Sequence, residues 1–155
     1  MRNAVIFDMD GTLANVSSIR HHLTKFDEGK RRIIKHFDRF HEDSVNVPSN
    51  SYVVNAAQVA HMLGHDVIIV TARKHKWRNH TAMWLALNNI PSDAMFMRHD
   101  NDDRKDVSVK RDILSVIRTS WNVLAAWDDN PAIIALWKEE GIPCNIVEGW
   151  EHEGS

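Results

Sequence analysis

Five short apolar runs, separated by longer segments with helical spacing, organise this chain. Each run is almost continuously apolar instead of alternating with polar residues, as expected for parallel strands that are covered on both faces. The runs are Ala4–Phe7, Asp66–Val70, Ala94–Met97, Val123–Trp127 and Cys144–Val147. The pattern therefore predicts five buried strands.

Four of the segments between these runs repeat apolar residues at helical intervals. Gly64 and Gly141 are suitable residues for helix ends, and Asn130 followed by Pro131 is typical of a helix start. Ser108 is a candidate N-cap for the third segment. The predicted helices are Val53–Leu63, Trp77–Leu87, Val109–Ile117 and Pro131–Glu140. Because strand and helix alternate, we predict an α/β fold with right-handed crossovers.

The stretch from about 15 to 50 interrupts this alternation. It is rich in His, Lys, Arg and Asp, and its apolar residues recur loosely at helical spacing. We expect a small helical insertion after the first strand, ending at the turn residues Pro48, Ser49 and Asn50. A length of 155 residues is suited to one domain, 1–155, with one continuous core.

The composition of the chain excludes several classes of protein. The formal net charge of −2 excludes a global positive field, so any binding of nucleic acid must depend on a local patch. The single cysteine excludes an internal disulfide and is consistent with a reducing compartment. There is no signal-peptide layout and no apolar stretch near the roughly 20 residues that cross a bilayer. We therefore expect a cytoplasmic protein that does not associate with membranes.

Two carboxylates follow the first strand, in the segment Asp8-Met9-Asp10-Gly11-Thr12. Side chains two residues apart in extended backbone point the same way, so Asp8 and Asp10 can face one pocket. Ligands of open α/β sheets bind beyond the carboxyl ends of the strands, where this segment lies. Two adjacent carboxylates need a cation or a proton to offset their repulsion. The alternative is a polar loop with a capping aspartate, and the short motif alone does not separate the two.

Polar residues of matching chemistry follow the next strands. The Thr71 hydroxyl can donate to a phosphoryl oxygen, or Thr71 is an ordinary β-branched residue at a strand end. Lys110 can offset nearby carboxylates and hold phosphate, or it is a solvated lysine. Asp128 and Asp129 can hold a hard cation such as Mg²⁺, or they cap the following helix. Acid, hydroxyl, cation and acid thus occur in order at four strand ends, which favours a site for phosphate chemistry.

These four segments resemble the four motifs of the haloacid dehalogenase (HAD) superfamily, from Val5 to about Trp150. The resemblance implies a three-layer, HAD-like (Rossmannoid) fold with a five-stranded parallel sheet in the order 5-4-1-2-3. Residues 8–14, 70–73, 97–98 with 103–106 and 109–110, and 137–150 are also similar to the phosphatase domain of bacteriophage-type polynucleotide kinases. That domain removes 3′-phosphates from nucleic-acid ends and from nucleotides. The chain lacks a Gly-x-x-x-x-Gly-Lys-Ser/Thr loop, so we expect no 5′-kinase activity.

The resemblance also implies a role for each motif in a magnesium-dependent phosphomonoester hydrolase. Asp8 would attack phosphorus and form an aspartyl-phosphate. Asp10 would protonate the leaving group and then activate water, with neighbouring carboxylates keeping it protonated on arrival. Thr71 and Lys110 would bind the phosphoryl oxygens. The implied metal ligands are Asp8, the carbonyl of Asp10, Asp128 and Asp129.

Basic residues beyond the second and third strands are candidates for binding the substrate. They are Arg73, Lys74, Lys76, Arg98 and Arg104. Cations that accompany Trp77 can hold a nucleic-acid backbone and stack a base. The alternative is a solvated helix start with Trp77 in the core. The insertion is too short for a large closing cap, which favours an open site for a polymer end.

Other functions are compatible with the same residues. A 5′-nucleotidase or a general small-phosphoester HAD phosphatase would use the same motifs. A receiver-like Mg²⁺-binding module also uses acidic residues, a Thr and a Lys, but its phosphorylated Asp ends strand three. In this chain strand three ends in Met97-Arg98. The sequence leaves open 3′- against 5′-phosphate, DNA against RNA, oligomeric state and a separate kinase partner.

Overall fold

The computed structural model describes residues 1–19 and 46–148, together with the backbone of 25–27 and 32–34. The strands of this part of the chain are β1 (Arg2–Phe7), β2 (Lys25–Asp27), β3 (Arg32–Ile34), β4 (Asp66–Lys74), β5 (Ala94–Arg98), β6 (Trp121–Asp128) and β7 (Cys144–Ile146). Its α-helices are α1 (Ser51–Met62), α2 (Arg78–Leu87), α3 (Asp106–Ile117) and α4 (Pro131–Glu139), and a 3₁₀ turn, His75–Trp77, precedes α2. None of the described helices is long and apolar enough to cross a membrane.

A five-stranded parallel sheet in the order β5-β4-β1-β6-β7 forms the centre of the fold. This arrangement confirms the α/β class and the strand order that the sequence led us to expect. The chain winds to one side of β1 through β4 and β5, and to the other side through β6 and β7. The order therefore reverses between β1 and β6, and ligands of open α/β sheets bind at the carboxyl ends of such neighbouring strands.

Two hydrophobic layers cover the sheet, one on each face. On one face, Phe7 and Val67 pack with Trp84 and with the buried residues of α1. On the other face, Ile6 packs with the buried residues of α3 and α4. Alternate residues of β1 thus enter opposite layers, as the pleat requires. The three-layer architecture is confirmed, and each large buried side chain contributes roughly 1.5–3 kcal/mol.

The helix ends agree with the sequence in α4 and differ in α3. The Asn130 side chain accepts a hydrogen bond from the amide of Ala132 (3.0 Å), and Pro131 opens α4. Ser108, the expected N-cap of α3, lies inside that helix, which begins at Asp106. Arg98 donates to the Asp106 carboxylate (2.6 Å), so an ion pair holds the start of α3 where we expected a hydroxyl cap.

The insertion departs from the helical expectation where the structure describes it. β2 and β3 pair antiparallel, with Lys25 opposite Ile34, so the prediction of a helix through these residues was wrong. The β-branched pair Ile33-Ile34 favours a strand. The rest of the insertion from 20 to 45 lies outside the described residues.

Candidate active site

The loop after β1 turns sharply and returns to the start of α1. The Asp8 amide donates to the carbonyl of Trp127 (3.1 Å), which continues the pairing of β1 with β6. Gly11 has φ 83°, a left-handed conformation that glycine adopts without the steric cost of a Cβ. The Asn50 side chain then donates to the carbonyl of Thr12 (2.7 Å). These contacts fix Asp8 at the carboxyl end of the central strand.

Three buried carboxylates meet between the ends of β1 and β6. Asp8, Asp128 and Asp129, called the acid cluster below, offer oxygen atoms that all lie within 4.8 Å of one another. The Thr12 hydroxyl contacts both sides of the cluster, at 3.3 Å from Asp8 Oδ2 and 3.2 Å from Asp129 Oδ1. Asp128 also accepts from the amide of Asn130 (3.1 Å). Asp128 therefore organises the start of α4 as well as belonging to the cluster.

Lys110 reaches the acid cluster from α3. Its side chain is buried, and Nζ donates to Asp8 Oδ1 (2.9 Å) and Asp128 Oδ2 (3.1 Å). A solvated lysine, the alternative that the sequence left open, is thus excluded by the structure. The strand order explains the contact, because α3 leads into β6, which lies next to β1.

Burial and mutual repulsion dominate the electrostatics of the acid cluster. Burial, reinforced by the charge of Asp128, raises the pKa of Asp8 well above its ordinary value, and Lys110 opposes this shift. The same two causes raise the pKa of Asp129 to about 6. Burial lowers the pKa of Lys110, but the charges of Asp128 and Asp8 outweigh burial and leave it raised. One ammonium among three carboxylates leaves the cluster short of positive charge.

Asp10 is paired with Arg73, which extends from β4. Arg73 is 2% exposed, and its Nε donates to Asp10 Oδ2 (2.9 Å) while Nη2 donates to Asp10 Oδ1. β4 runs to Lys74, four residues past the predicted end, and this extension carries Thr71 and Arg73 into the site. A guanidinium fork stabilises an ionised carboxylate. The contact therefore suits a base, whereas the sequence led us to expect neighbouring carboxylates to keep Asp10 protonated.

Thr71 is buried on β4, two residues before Arg73. Its Oγ1 accepts a hydrogen bond from the amide of Arg73 (3.1 Å). The hydroxyl proton is thus not used by that bond, and it can be donated. The role of Thr71 as a phosphoryl ligand stays a prediction.

Arg98 and Arg104 organise the segment between β5 and α3. Arg98 is buried, and it donates to the carbonyls of Ala72 and Asp102 (both 2.9 Å) in addition to Asp106. Arg104 is half-exposed and pairs with Asp102 at 2.9 Å. These contacts give Arg98 a structural role that the sequence did not reveal. Contact of either arginine with substrate stays a prediction.

Exposed cations lie at the start of α2, although the tryptophan among them is buried. Lys74 pairs with Asp103 (3.1 Å), and the exposed Lys76 places Nζ 5.5 Å from the centroid of the Trp77 ring. Trp77 is 9% exposed, and its ring contacts that of His80 with centroids 5.1 Å apart. The structure therefore favours the core position for Trp77 over a stacking platform, while Lys76 remains accessible to a phosphate backbone.

Sequence reasoning missed two side chains around the site. Tyr52, in the first turn of α1, is 56% exposed, and its ring meets that of Trp127 edge-on with centroids 6.4 Å apart. Burial, followed by the charges of Glu148 and Asp129, raises the pKa of the Tyr52 hydroxyl. Thr81, on α2, bonds to Arg73 (3.0 Å). Neither belongs to a motif, and both depend on how a helix docks on the sheet.

The family model for the polynucleotide kinase PNKP phosphatase domain matches residues 2–150. The chain belongs to this family. It is therefore a phosphatase domain with the HAD-like fold, as its four motifs led us to expect.

Individual relatives agree with this assignment. A protein of Autographa californica nuclear polyhedrosis virus, whose name gives it polynucleotide kinase and RNA ligase activities, is 34% identical over 83 residues. That match covers 51% of this chain and 12% of the viral protein. A chain of the Pnkp1/Rnl/Hen1 RNA repair complex is 26% identical with a TM-score of 0.79, over 96% of this chain and 43% of that one. This chain thus spans less than half the length of either relative.

The fold is shared more widely than the sequence. The class C acid phosphatase from Bacillus anthracis has a TM-score of 0.66 at 14% identity, over 95% of this chain and 66% of that one. At this identity the likeness concerns the fold alone.

Proposed function

We propose that this phosphatase domain is a Mg²⁺-dependent phosphomonoesterase that removes 3′-phosphates from nucleic-acid ends or nucleotides. The observation that carries the proposal is the buried acid cluster with Lys110, at the point where the strand order of the sheet reverses. A nucleophile, a cation and metal ligands are all available there. The match to a polynucleotide kinase phosphatase family supports nucleic-acid ends as the substrate class.

The chemistry of the acid cluster fits a magnesium ion. Carboxylate oxygens are the ligands that Mg²⁺ prefers, and three of them lie within 4.8 Å of one another. Burial and the charge of Asp128 raise the pKa values of Asp8 and Asp129, and the charge of a bound cation would oppose both shifts. Asp8, Asp129 and the Asp10 carbonyl would hold the ion, with Asp128 contacting metal-bound water or Lys110. When bound, Mg²⁺ supplies positive charge that offsets the carboxylates and the phosphoryl oxygens.

The residues around the acid cluster then divide the reaction between them. Asp8 attacks phosphorus, and the bond to the leaving oxygen breaks as Asp10 donates a proton to that oxygen. Ionised Asp10 next takes a proton from water, which attacks the aspartyl-phosphate, releases inorganic phosphate and regenerates Asp8. The pairing with Arg73 suits Asp10 in this second role.

Two side chains are placed to bind the phosphoryl oxygens during both steps. Lys110 has three N–H donors, and its bonds to Asp8 and Asp128 engage two of them among the described residues. The third can donate to a phosphoryl oxygen. Thr71 can donate its hydroxyl proton to another, because its oxygen accepts from the Arg73 amide.

Substrate selection draws on side chains at the rim of the site. Lys76 and Arg78 are exposed at the start of α2, a few residues beyond the buried Arg73, and can contact a phosphate backbone. Tyr52 offers an exposed aromatic ring beside Trp127, on which a terminal base can stack. These features favour a nucleic-acid end over a small phosphoester.

Phosphate release from matched oligonucleotides tests the proposal. Oligonucleotides with a 3′- or a 5′-phosphate, and a mononucleotide panel, are incubated with Mg²⁺ or with EDTA. We expect Mg²⁺-dependent release from the 3′-phosphate end. Release from mononucleotides alone would instead indicate a nucleotidase or small-phosphoester phosphatase. No release from any substrate would contradict the proposal and favour a HAD-like domain that binds Mg²⁺ without catalysing hydrolysis.

A further inference from the structure

We propose that Thr81 is a positioning residue for this phosphatase: it holds Arg73, and Arg73 in turn holds the Asp10 carboxylate in its reactive orientation. The inference rests on the proposed function, since it concerns the acid and base of that reaction. Thr81 lies on α2, outside every motif that the sequence revealed.

The hydrogen bonds around Thr81 have a defined direction. Thr81 is 0% exposed, and its hydroxyl donates to the carbonyl of Trp77 (2.9 Å), four residues earlier. A hydroxyl has one proton, so its oxygen is left as an acceptor. That oxygen accepts from Arg73 Nη1 (3.0 Å). Thr81 therefore presents an acceptor, and not a donor, to the guanidinium.

The planar guanidinium transmits this constraint to Asp10. With Nη1 bound to Thr81, the opposite edge of Arg73, formed by Nε and Nη2, faces both carboxylate oxygens of Asp10. Asp10 lies in the turn before Gly11 with its side chain 22% exposed, so packing constrains it less than the buried members of the acid cluster. The fork from Arg73 is thus a principal determinant of its orientation.

A side chain of the same shape without the hydroxyl would not replace Thr81. Thr81→Val keeps most of the volume but leaves the Arg73 Nη1 donor without its acceptor. Buried donors without partners are costly, so the guanidinium is expected to rotate towards another acceptor. Rotation about the Arg73 side chain moves Nε and Nη2 away from Asp10.

The consequence for catalysis depends on the leaving group. A nucleoside alkoxide needs the proton of Asp10 as its bond to phosphorus breaks, whereas nitrophenolate is stable enough to leave without one. kcat/KM reports the steps up to the first irreversible one, which here includes leaving-group departure. Misplacing Asp10 should therefore lower kcat/KM for a nucleoside 3′-phosphate far more than for p-nitrophenyl phosphate.

The test compares both substrates in wild type, Thr81→Val and Thr81→Ser with saturating Mg²⁺. Thr81→Val should lower kcat/KM for the nucleoside 3′-phosphate by about tenfold or more, as small misplacements of catalytic groups do, and for p-nitrophenyl phosphate by less than about twofold. Thr81→Ser keeps the hydroxyl and should restore the nucleotide rate. In an Asp10→Asn background, Thr81→Val should cause no further loss, because the two changes act on one pathway.

Equal losses on both substrates, no loss on either, or a further loss in the Asp10→Asn background would overturn the inference. Wild-type turnover in the same assay tests the proposed function separately. If wild type turned over neither substrate, the ¹H–¹⁵N resonance of Arg73 Nε would still show whether Thr81 positions Arg73. The resonance is assigned by its loss in Arg73→Lys. Thr81→Val should shift it or speed its exchange with water and Thr81→Ser should not; an unchanged resonance in Thr81→Val would overturn the positioning role.

Discussion

Replacing Asp129 by asparagine removes one negative charge from the acid cluster and keeps the size of the side chain. The asparagine oxygen can still accept from the Thr12 hydroxyl, which lies 3.2 Å from Asp129 Oδ1. Its amide group places N–H donors among the remaining carboxylates. We therefore expect Asp129→Asn to stabilise the metal-free protein at neutral pH, although Asp129 is a proposed metal ligand.

The size of this effect follows from the pKa of Asp129. Burial and the charge of Asp128 raise it from an ordinary 3.8 to about 6, so the folded state binds more protons than the unfolded state between these values. Stability is then lost as pH rises through this window and stays lower above it. At about 1.4 kcal/mol per pKa unit, ionised Asp129 costs about 3 kcal/mol at pH 7.5 and about half of that at pH 5.

Urea unfolding of wild type and Asp129→Asn in EDTA, at pH 7.5 and at pH 5, measures both values. The variant should be more stable by up to about 3 kcal/mol at pH 7.5, and the difference should shrink by about half at pH 5. Mg²⁺ should stabilise wild type more than the variant. Asp102→Asn is the control and should make the protein less stable at pH 7.5, since hydrogen bonds from Arg104 lower the pKa of Asp102 to about 2. The reasoning would be refuted if Asp129→Asn were less stable than wild type at pH 7.5, or if the difference in free energy of unfolding were the same at both pH values.

The remaining predictions concern the nucleophile and the arginines near α3. Asp8→Asn should fold with a melting temperature no lower than that of wild type yet lose phosphate release by about 10³-fold or more; ordinary turnover would contradict its role. Arg98→Met should lower the free energy of unfolding by about 1–3 kcal/mol in urea, because it leaves the Asp106 carboxylate and the carbonyls of Ala72 and Asp102 without their donor. The half-exposed Arg104→Ala should cost less than about 1 kcal/mol. Unchanged stability of Arg98→Met with a raised KM would instead indicate a substrate contact.

The sheet could be predicted from the sequence because its strands are short apolar runs that lack alternation, and the central strands β1 and β4 are buried on both faces. β6 and β7 carry exposed residues, so the prediction of five buried strands was wrong for these two. Phe7 and Ile6 enter opposite hydrophobic layers, so both had to be apolar. The order of the strands came from the resemblance to a family, since apolar runs do not by themselves specify neighbours. Once β1 and β6 are adjacent, Asp8 and Asp129 must meet, and that much of the site was predictable.

The contacts of individual side chains could not be predicted in the same way. Arg73 bonds to Asp10 across 63 residues of sequence and to Thr81 on a helix that docks beside β4. The sequence does not distinguish a cation at a strand end that binds substrate from one that binds loop carbonyls. Arg98 binds loop carbonyls. In the insertion, the loosely spaced apolar residues were compatible with a helix, but the β-branched Ile33-Ile34 pair lies in a strand.

The energetics of the acid cluster argue for its function independently of any relative. If stability alone determined the residues at these three buried positions, they would be neutral or apolar, because burying unpaired carboxylates is unfavourable. Here Lys110 offsets only part of the charge of Asp8 and Asp128, and Asp129 adds a third carboxylate whose pKa rises to about 6. The hydrogen bond from the Thr12 hydroxyl to Asp129 does not compensate for the cost of burying this carboxylate. Such an excess of negative charge is expected where a cation completes the site during the reaction.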